Sequence, residues 1–447
     1  MTNFEVKNGV VIIPEGTTTI DWDSYADCTN LKSVTIPASV TNVSAGSFLN
    51  SPSIESIVVE EGNPIYDSRE GCNAIIETAT NTLIAGCKST VIPNSVTRIA
   101  PYAFWACSSP ESITIPESVA EIGVKAFCSC VSVKNINILG NITKIETNTF
   151  KDCISLESIT LPEGITTIKD KAFSGCISLK NITLPESITK IGKAAFDRCL
   201  SLESVNIPKK VTKIREETFS ECTSLKNIVI SERVKIIESR AFSKCRSLKS
   251  VILSKGLKNI GWDVFQDCIS LESITLPKGL EDIGWSVFQG CVSLESIIIP
   301  ESVKTIGWSA FEGCSSLKSI TIPKSMIKIG AFAFIACMSL ESIVVEEGNP
   351  IYDSRGRCNA IIETATNTLI AGCKSTIIPD SVTEIESNAF EGCTMLESIS
   401  IPESVTKLDA RTFYGCTSLK AIYVAKEKID TIKSMLPIEL QEVVKEK

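Results

Sequence analysis

Apolar and polar positions along this chain repeat one pattern every 23 residues. Residues 156–162, Leu-Glu-Ser-Ile-Thr-Leu-Pro, form a typical copy. Apolar residues alternate with polar ones over a short β-branched run, and this predicts a strand with Ile159 and Leu161 facing inward and Ser158 and Thr160 facing outward. Pro162 ends the strand, because proline has no N–H to donate to a parallel ladder.

Two further segments complete the repeat. The pair Ile165 and Ile168 predicts a second extended side of the coil. Residues 171–176, Lys-Ala-Phe-Ser-Gly-Cys, predict a tight helical turn that places Phe173 and Cys176 in the interior. Each unit is therefore expected to be mainly β with one short helical turn.

Cysteines define the period. Eleven cysteines between Cys107 and Cys337 are spaced by 23 residues without a slip, and the series is extended at its ends by Cys28, Cys393 and Cys416. Ser51 takes the place of cysteine in one copy. An aromatic residue precedes each of these positions by three, and fourteen of the sixteen phenylalanines lie in that column. We interpret the cysteines as small buried hydrophobes in a packed ladder of free thiols.

A fixed period of this length is typical of a solenoid, in which each unit buries its apolar face only by stacking on its neighbours. We expect one continuous domain of about 17–18 coils over residues 11–424. Residues 1–10 would cap one end, since an open end exposes apolar edges and an unpaired strand. Residues 425–447 would form a helical cap at the other end, with one apolar face made of Ile429, Ile432, Met435 and Leu436.

Two coils carry an insertion. Residues 57–99 and 343–385 are near-duplicates that differ at five of 43 positions, and each lengthens a 23-residue coil to 33, near residues 51–83 and 337–369. Within the first, residues 72–87 predict a β-hairpin whose turn is Thr-Ala-Thr-Asn. A turn symmetric about Ala79 and Thr80 would pair Glu77 with Thr82.

The same register places two cysteines opposite each other in each hairpin. Cys72 would face Cys87, and Cys358 would face Cys373 in the second copy. Such pairs form cross-strand disulfides if they occupy close, non-hydrogen-bonded positions. Free thiols are the alternative, and the sequence leaves both open.

Composition removes several function classes. The 447 residues include no histidine, so neither a Ser-His-Asp triad nor a histidine-ligated metal site is available. A net charge of −8 disfavours nucleic-acid binding, which needs a basic face. No apolar run approaches the ~18 residues that cross a bilayer. We therefore expect no catalytic activity, no cofactor, no metal and no membrane insertion.

The repeat resembles a known family. Its consensus, C-x-S-L-x-S-I-x-I-P-x-S-V-x-x-I-x-x-x-A-F, is similar to the leucine-rich repeats of the BspA-like type and covers about nine tenths of the chain. The resemblance implies a leucine-rich repeat solenoid that binds other macromolecules, with adhesion to host matrix or cell-surface proteins. It carries over no catalytic residues.

One surface feature stands out from the repeat. The position six residues before the cysteine varies freely, which predicts exposure, yet three successive coils place tryptophan there: Trp262, Trp285 and Trp308. Exposed indoles one coil apart would form an aromatic stripe suited to peptide or sugar contact. The alternative is that they only cover a corner of the coil stack.

These observations lead to one functional hypothesis with alternatives. We expect a non-catalytic protein-binding or adhesion scaffold; a glycan-binding module that uses the tryptophans, or a self-assembling structural protein, is the alternative. The resemblance implies a cell-surface or secreted protein. Residues 1–5 lack the features of a signal peptide, and free thiols favour a reducing compartment, so a cytoplasmic location is the alternative.

Overall fold

The chain winds into a β-solenoid of about 19 coils, slightly more than the repeat count predicts. The computed structural model describes residues 6–22, 24–48, 50–108 and 110–447, so residues 1–5 of the proposed N-terminal cap lie outside the described residues. The coils fall into two units, 1–225 and 226–447. Each unit contains two files of parallel strands, here called file A and file B, and one inserted hairpin.

In the first unit, file A follows the Ser-Ile-Thr-Leu segment of the repeat and file B follows the second apolar pair. The file A strands are Val10–Ile12, Ser33–Ile36, Ser56–Val59, Ser112–Ile115, Asn135–Ile138, Ser158–Thr160, Asn181–Ile182 and Ser204–Val205. The file B strands are Thr19–Ile20, Asn42–Val43, Arg98–Ile99, Glu121–Ile122, Lys144–Ile145, Thr167–Ile168, Lys190–Ile191 and Lys213–Ile214. The hairpin contains strands Tyr66–Asp67, Ala74–Glu77 and Thr82–Gly86 and a 3₁₀ turn at Arg69–Gly71.

The second unit repeats this plan. Its file A strands are Asn227–Val229, Ser250–Ile252, Ser273–Thr275, Ser296–Ile298, Ser319–Ile322, Ser342–Val345, Ser398–Ser400 and Ala421–Val424. Its file B strands are Ile236–Ile237, Asn259–Ile260, Asp282–Ile283, Thr305–Ile306, Lys328–Ile329, Glu384–Ile385 and Lys407–Leu408. The hairpin contains Tyr352–Asp353, Ala360–Glu363 and Thr368–Gly372 and a 3₁₀ turn at Arg355–Arg357.

Equivalent residues of successive coils pair in register. Ile113 pairs with Ile136, and Ile136 pairs with Ile159, in parallel ladders with a step of 23 residues. Burial alternates along these strands, with Ile159 buried and Ser158 and Thr160 exposed. The predicted inward and outward faces of the strand are therefore confirmed, because a period of two fixes which side chains face the core.

The segment before each cysteine is a series of tight turns, not the helical turn expected from the sequence. In the copy at 171–176, Lys171 and Gly175 have φ angles of 56° and 77°, in the left-handed region. The N–H groups of Lys171, Phe173 and Gly175 donate to carbonyls of the next coil at 2.8 Å each. A right-handed helical turn would direct these N–H groups along its own axis. The left-handed residues direct them toward the next coil instead, so this side of the coil also takes part in the hydrogen-bond ladder between coils.

Phenylalanines stack along the interior of each unit. In the first unit, Phe104 to Phe219 stack with ring centroids 4.8–5.6 Å apart and planes within 18° of parallel. In the second, Phe242 to Phe334 stack at 5.5–5.7 Å. Most of these rings are fully buried. The aromatic column is thus the centre of the core, as its sequence period predicts.

The cysteine column does more than fill space. Most thiols of the column donate a hydrogen bond to the carbonyl of the phenylalanine 26 residues earlier, in the preceding coil, as Cys199 Sγ does to Phe173 O at 3.2 Å. The same carbonyl accepts the N–H of Cys176 in its own coil, also at 3.2 Å. Ten cysteines of the column make this thiol bond at 3.1–3.2 Å: Cys130, Cys153, Cys176, Cys199, Cys222, Cys268, Cys291, Cys314, Cys337 and Cys416.

Ser51 shows that the slot selects a hydrogen-bond donor as well as a small residue. Its hydroxyl donates to Tyr25 O at 2.7 Å, which is the bond that a cysteine makes in the other coils. Ser51 is buried although serine is usually exposed. The cysteine column therefore places hydrogen-bond donors next to backbone carbonyls, and each carbonyl oxygen can accept two hydrogen bonds.

The hairpin register differs from the prediction at one end. Glu77 pairs with Thr82 as expected, but a β-bulge between Ile75 and Ile76 shifts the rest by one residue, so Ala74 faces Gly86. Because the bulge inserts one extra residue into a strand, Cys72 and Cys87 are no longer directly opposite each other. The second hairpin has the same bulge between Ile361 and Ile362.

All four hairpin cysteines are free thiols in this structure. Cys87 Sγ lies 3.3 Å from Asn73 O, and Cys373 Sγ lies 3.5 Å from Asn359 O. Disulfides between Cys72 and Cys87 and between Cys358 and Cys373 stay predictions, which have to be tested on the oxidised protein.

The last residues cover the final coil of the second unit. A 3₁₀ turn at Lys426–Lys428 leads to helices Ile429–Met435 and Ile438–Gln441. Ile432 and Leu436 are buried against the core, with Ile429 and Met435 packed beside them. The chain then returns as strand Val444–Glu446, which pairs in parallel with Ala421–Val424. The covering strand is a feature that helical periodicity does not reveal, and the assignment of residues 425–447 as a separate cap stays a prediction.

The aromatic column gives a first prediction. Phe288→Ala should destabilise the protein by about 3–5 kcal/mol, because it removes a fully buried ring between two stacked neighbours. Phe332→Ala is the matched control, since Phe332 is outside the column and only half-buried. Urea denaturation of both variants measures the difference. Equal losses of stability would contradict the assignment of the column as the core.

The buried thiols give a second prediction. Burial raises the pKa of the Cys314 and Cys416 thiols to about 12, so these groups are neutral and unreactive at pH 8. Titration of the reduced native protein with DTNB should detect at most the partly exposed Cys28, because burial also raises the pKa of Cys393, whereas denaturant should release all nineteen thiols. After air oxidation, four fewer thiols in denaturant would reveal both hairpin disulfides; rapid reaction of the native column would contradict its burial.

Candidate binding surface

Three tryptophans of the second unit lie on its surface. Trp262, Trp285 and Trp308 are 56%, 52% and 51% exposed, as their place in a variable column predicts. Each follows the last residue of a short file B strand by two positions, where the chain turns toward the buried phenylalanine. The short strand therefore fixes where each indole leaves the coil.

A glycine before each tryptophan lets the coils come close at this corner. A Cβ on Gly307 would lie 2.5 Å from the carbonyl carbon of Gly284 and 2.7 Å from the backbone nitrogen of Trp285. A Cβ on Gly261 would lie 2.5 Å from the backbone nitrogen of Ser239. Real Cβ atoms do not approach backbone atoms so closely, so glycine is required for this spacing.

The residue after each tryptophan fixes the local backbone. Asp263, Ser286 and Ser309 have φ angles of 54°, 50° and 52°. The N–H of Asp263 donates to Trp285 O at 2.9 Å, and the N–H of Ser286 donates to Trp308 O at 2.8 Å. Since these backbone groups are used between coils, a ligand would meet the side chains of this surface.

The rings contact one another along the coil stack. Trp262 and Trp285 stack with centroids 5.1 Å apart and planes 14° from parallel. Trp308 contacts Phe332 of the next coil at 5.6 Å with a tilt of 38°. We call Trp262, Trp285, Trp308 and Phe332 the aromatic stripe. Sequence reasoning missed Phe332, although its position outside the phenylalanine column was a signal that it has another role.

Stacking determines what the stripe presents to solvent. The facing surfaces of Trp262 and Trp285 cover each other, so one face of each of these indoles is closed to a ligand. Within residues 6–22, 24–48, 50–108 and 110–447, none of the three indole N–H groups donates a hydrogen bond to the protein. The stripe therefore offers apolar ring surface and three free donors.

A polar ladder runs beside the tryptophans. Gln266 Nε2 donates to Gln289 Oε1 at 2.9 Å, and Ser243 Oγ donates to Gln266 Oε1 at 3.3 Å. These side chains connect successive coils next to the stripe. An apolar patch bordered by polar groups is the composition found at protein interfaces.

Two other surfaces are less distinctive. Outward file A positions include the exposed apolar residues Val229, Ile252 and Ile298, interrupted by threonines. A column of alternating charges forms exposed pairs between coils, such as Lys318 with Glu295 at 2.7 Å. Exposed pairs contribute about 0–1 kcal/mol each, so this column reflects solvation and register more than a site.

The described part of the chain contains no group of three cysteine, aspartate or glutamate side chains placed to hold a metal ion. Among the same residues, no helix has the length and apolar character that crossing a bilayer requires.

The close contact at Gly307 predicts that alanine substitution changes stability differently at two glycines of the second unit. Gly307→Ala should destabilise the protein by about 1–3 kcal/mol, because its Cβ would overlap the backbone of the preceding coil. Gly279→Ala should be neutral or stabilise by up to about 1 kcal/mol, since its nearest neighbour would be Leu257 O at 4.0 Å. Denaturation midpoints of the two variants measure this, and equal midpoints would contradict the close approach.

Comparison with known proteins identifies relatives of this fold. The family model described as BspA type Leucine rich repeat region, in six copies, matches residues 5–70, 80–199, 143–269, 235–354 and 366–436. A leucine-rich repeat protein from Bacteroides ovatus is 24% identical, with a TM-score of 0.54, over 93% of this chain and 92% of that one. That structure has the same fold.

Two other solved structures are similar over part or most of the chain. A leucine rich cell surface protein from Faecalibacterium prausnitzii is 23% identical over 90% of this chain and 82% of that one, with a TM-score of 0.37. A T. pallidum leucine rich repeat protein is 32% identical over 41% of this chain and 82% of that one, with a TM-score of 0.33. No curated protein matches this sequence. Because the family model matches most of the chain, this protein belongs to the BspA-type leucine-rich repeat family.

Proposed function

We propose that this protein is a non-catalytic scaffold that binds another protein, in the manner of an adhesin, and that the aromatic stripe is its contact surface. The observation that carries the proposal is the set of half-exposed, partly stacked rings with free indole donors. Clustered tryptophans of this kind are enriched at the centre of protein interfaces. Family membership supports a binding role in general.

Ring orientation favours a protein partner over a sugar. A sugar that stacks on tryptophan needs an open ring face, and the contact between Trp262 and Trp285 covers the two faces between them. Indole edges with free N–H groups suit a polypeptide instead, because peptide carbonyls accept hydrogen bonds and side chains fill the apolar surface. Glycan binding is the alternative outcome, and the experiment described below would detect it.

The free thiols are compatible with a place at the cell surface, which the family suggests. Desolvation raises the pKa of Cys268, Cys291 and Cys337 well above the ordinary value for a thiol. Because the thiolate is the reactive form, buried thiols of this kind resist oxidation even outside the cell. The buried column therefore gives no reason to prefer a reducing compartment.

The test is capture of proteins from an extracellular-matrix extract by the immobilised intact chain. The variant Trp262→Ala/Trp285→Ala/Trp308→Ala should bind the captured protein about tenfold more weakly or worse, because it loses the interface centre. Trp22→Ala is the matched control, since Trp22 is 61% exposed but stacks on no other aromatic ring among the described residues, and it should bind normally. A glycan array is run in parallel with both variants.

Two results would count against the proposal. Equal binding by the triple variant and the Trp22→Ala variant would remove the stripe from the interface. Tryptophan-dependent binding to glycans, with no protein captured, would replace protein recognition by carbohydrate recognition.

A further inference from the structure

The aromatic stripe ends at a cleft in the second unit. Phe332, which contacts Trp308, lines a cavity of about 490 Å³ together with Tyr352, Glu363 and Glu386. The inserted hairpin forms one wall, and the file B strand Glu384–Ile385 continues it. This volume is within the range of ordinary ligand pockets, so the cleft has room for a side chain from a segment lying on the stripe.

Three carboxylates line this cleft, and they differ in their partners. Glu384 forms an ion pair with Lys407, and Glu363 accepts a hydrogen bond from Thr366 Oγ1 at 2.6 Å. The carboxylate of Glu386 makes neither an ion pair nor a hydrogen bond with any residue in the described ranges. The cleft therefore contains one half-buried carboxylate whose charge the protein leaves unpaired.

Burial and the two neighbouring carboxylates act on the pKa of Glu386 in the same direction. Desolvation raises the pKa of Glu386, and Glu363 and Glu384 raise it further, while Lys407 lowers it. Tyr352, the other titratable group of the wall, is neutral because burial raises its own pKa. A cation placed in the cleft would relieve this repulsion, so the electrostatics of the cleft are complementary to a positive group.

The first unit provides an internal comparison. Its hairpin is nearly identical in sequence, yet Arg98 and Ala100 stand where the second unit has Glu384 and Glu386. Gly46 stands there in place of Phe332, so the first unit lacks the ring that borders this cleft. The aromatic ring and the added carboxylates thus occur together in the second unit, although the hairpin itself is shared.

We propose that the aromatic stripe and the adjoining cleft bind an extended segment of a protein partner, with a lysine or arginine side chain of that segment seated in the cleft beside Phe332. This inference rests on the proposed protein-binding function and names the chemistry of the partner. Four rings on successive coils span three coil spacings, about 14 Å at ~4.8 Å each, which is the length of about four extended residues. Backbone carbonyls of the segment accept from the indole N–H groups.

Four fluorescein-labelled octapeptide libraries test this proposal. Each has one fixed central residue, Lys, Arg, Glu or Leu, and mixed residues elsewhere; binding to the full chain is followed by fluorescence anisotropy. We expect the Lys and Arg libraries to bind about tenfold more tightly than the Glu and Leu libraries. Because charges are screened by salt, this preference should shrink at high ionic strength.

Variants separate the cleft from the stripe. Glu363→Gln/Glu386→Gln keeps the side-chain volumes and removes two carboxylates, so we expect a folded protein that binds all four libraries equally weakly. Glu397→Gln, an exposed carboxylate at another coil, should keep the preference. The triple tryptophan variant should lose binding to every library. Lowering the pH from about 7.5 to about 5 should weaken Lys and Arg binding in the intact chain, because Glu386 with its raised pKa takes up a proton.

Three results would overturn the inference. In the first, the intact chain binds the four libraries equally and the triple tryptophan variant binds none of them. That result would keep the stripe as the interface and would exclude the cleft from it. An unchanged Lys and Arg preference in the Glu363→Gln/Glu386→Gln variant would place the cation elsewhere. Absence of binding to every library, while the immobilised chain still captures a matrix protein through its tryptophans, would exclude a short basic segment as the ligand and leave the proposed function intact.

Discussion

The contact between equivalent phenylalanines and cysteines of successive coils is the interaction on which the rest of the structure depends. A single coil of 23 residues has too little apolar surface to form a core. Stacked rings about 5.5 Å apart, as between Phe288 and Phe311, supply that core. The thiol bond from Cys314 to the carbonyl of Phe288 links the same two coils through the backbone. Packing and hydrogen bonding thus impose the same register.

Because the inner columns form the core, the residue types at the outer positions of the repeat can vary. The column that contains Trp262, Trp285 and Trp308 holds aspartate, lysine, glutamate or threonine in other coils, because nothing in the core depends on it. Glycine is an added feature of these coils, since a Cβ on Gly261 or Gly307 would overlap the backbone of the preceding coil. The aromatic stripe is therefore a local feature that the repeat supports and does not itself require. A binding function is the economical explanation of such a feature.

Much of the fold could be predicted from the sequence because two periods coincide. Alternation by two gives the buried face of residues 158–161, and the step of 23 gives the parallel ladder. The left-handed residues could not be predicted, since Lys171 and Asp152 carry no sign of a positive φ. The bulge between Ile75 and Ile76 was equally hidden, because it lies within a run of ordinary strand residues. The thiol bonds had one signal, the serine at position 51.

The candidate site was only partly predictable. Exposure of the three tryptophans follows from their variable column, but the stacking of two of them and the contact with Phe332 need three-dimensional spacing. The exchange of Arg98 for Glu384 is visible in the duplicated segments, and that of Ala100 for Glu386 in the residue that follows them. That these residues border a cleft beside an aromatic ring is not, because the ring comes from another coil.

Infrared spectroscopy of the S–H stretch tests the central interaction most directly, because this band lies apart from other protein absorptions. Hydrogen-bonded thiols absorb at lower frequency than free thiols. With ten or more equivalent thiols donating to carbonyls at 3.1–3.2 Å, the native protein should show a narrow band at low frequency that shifts upward on denaturation. A native band at the frequency of free thiols would contradict the cysteine ladder.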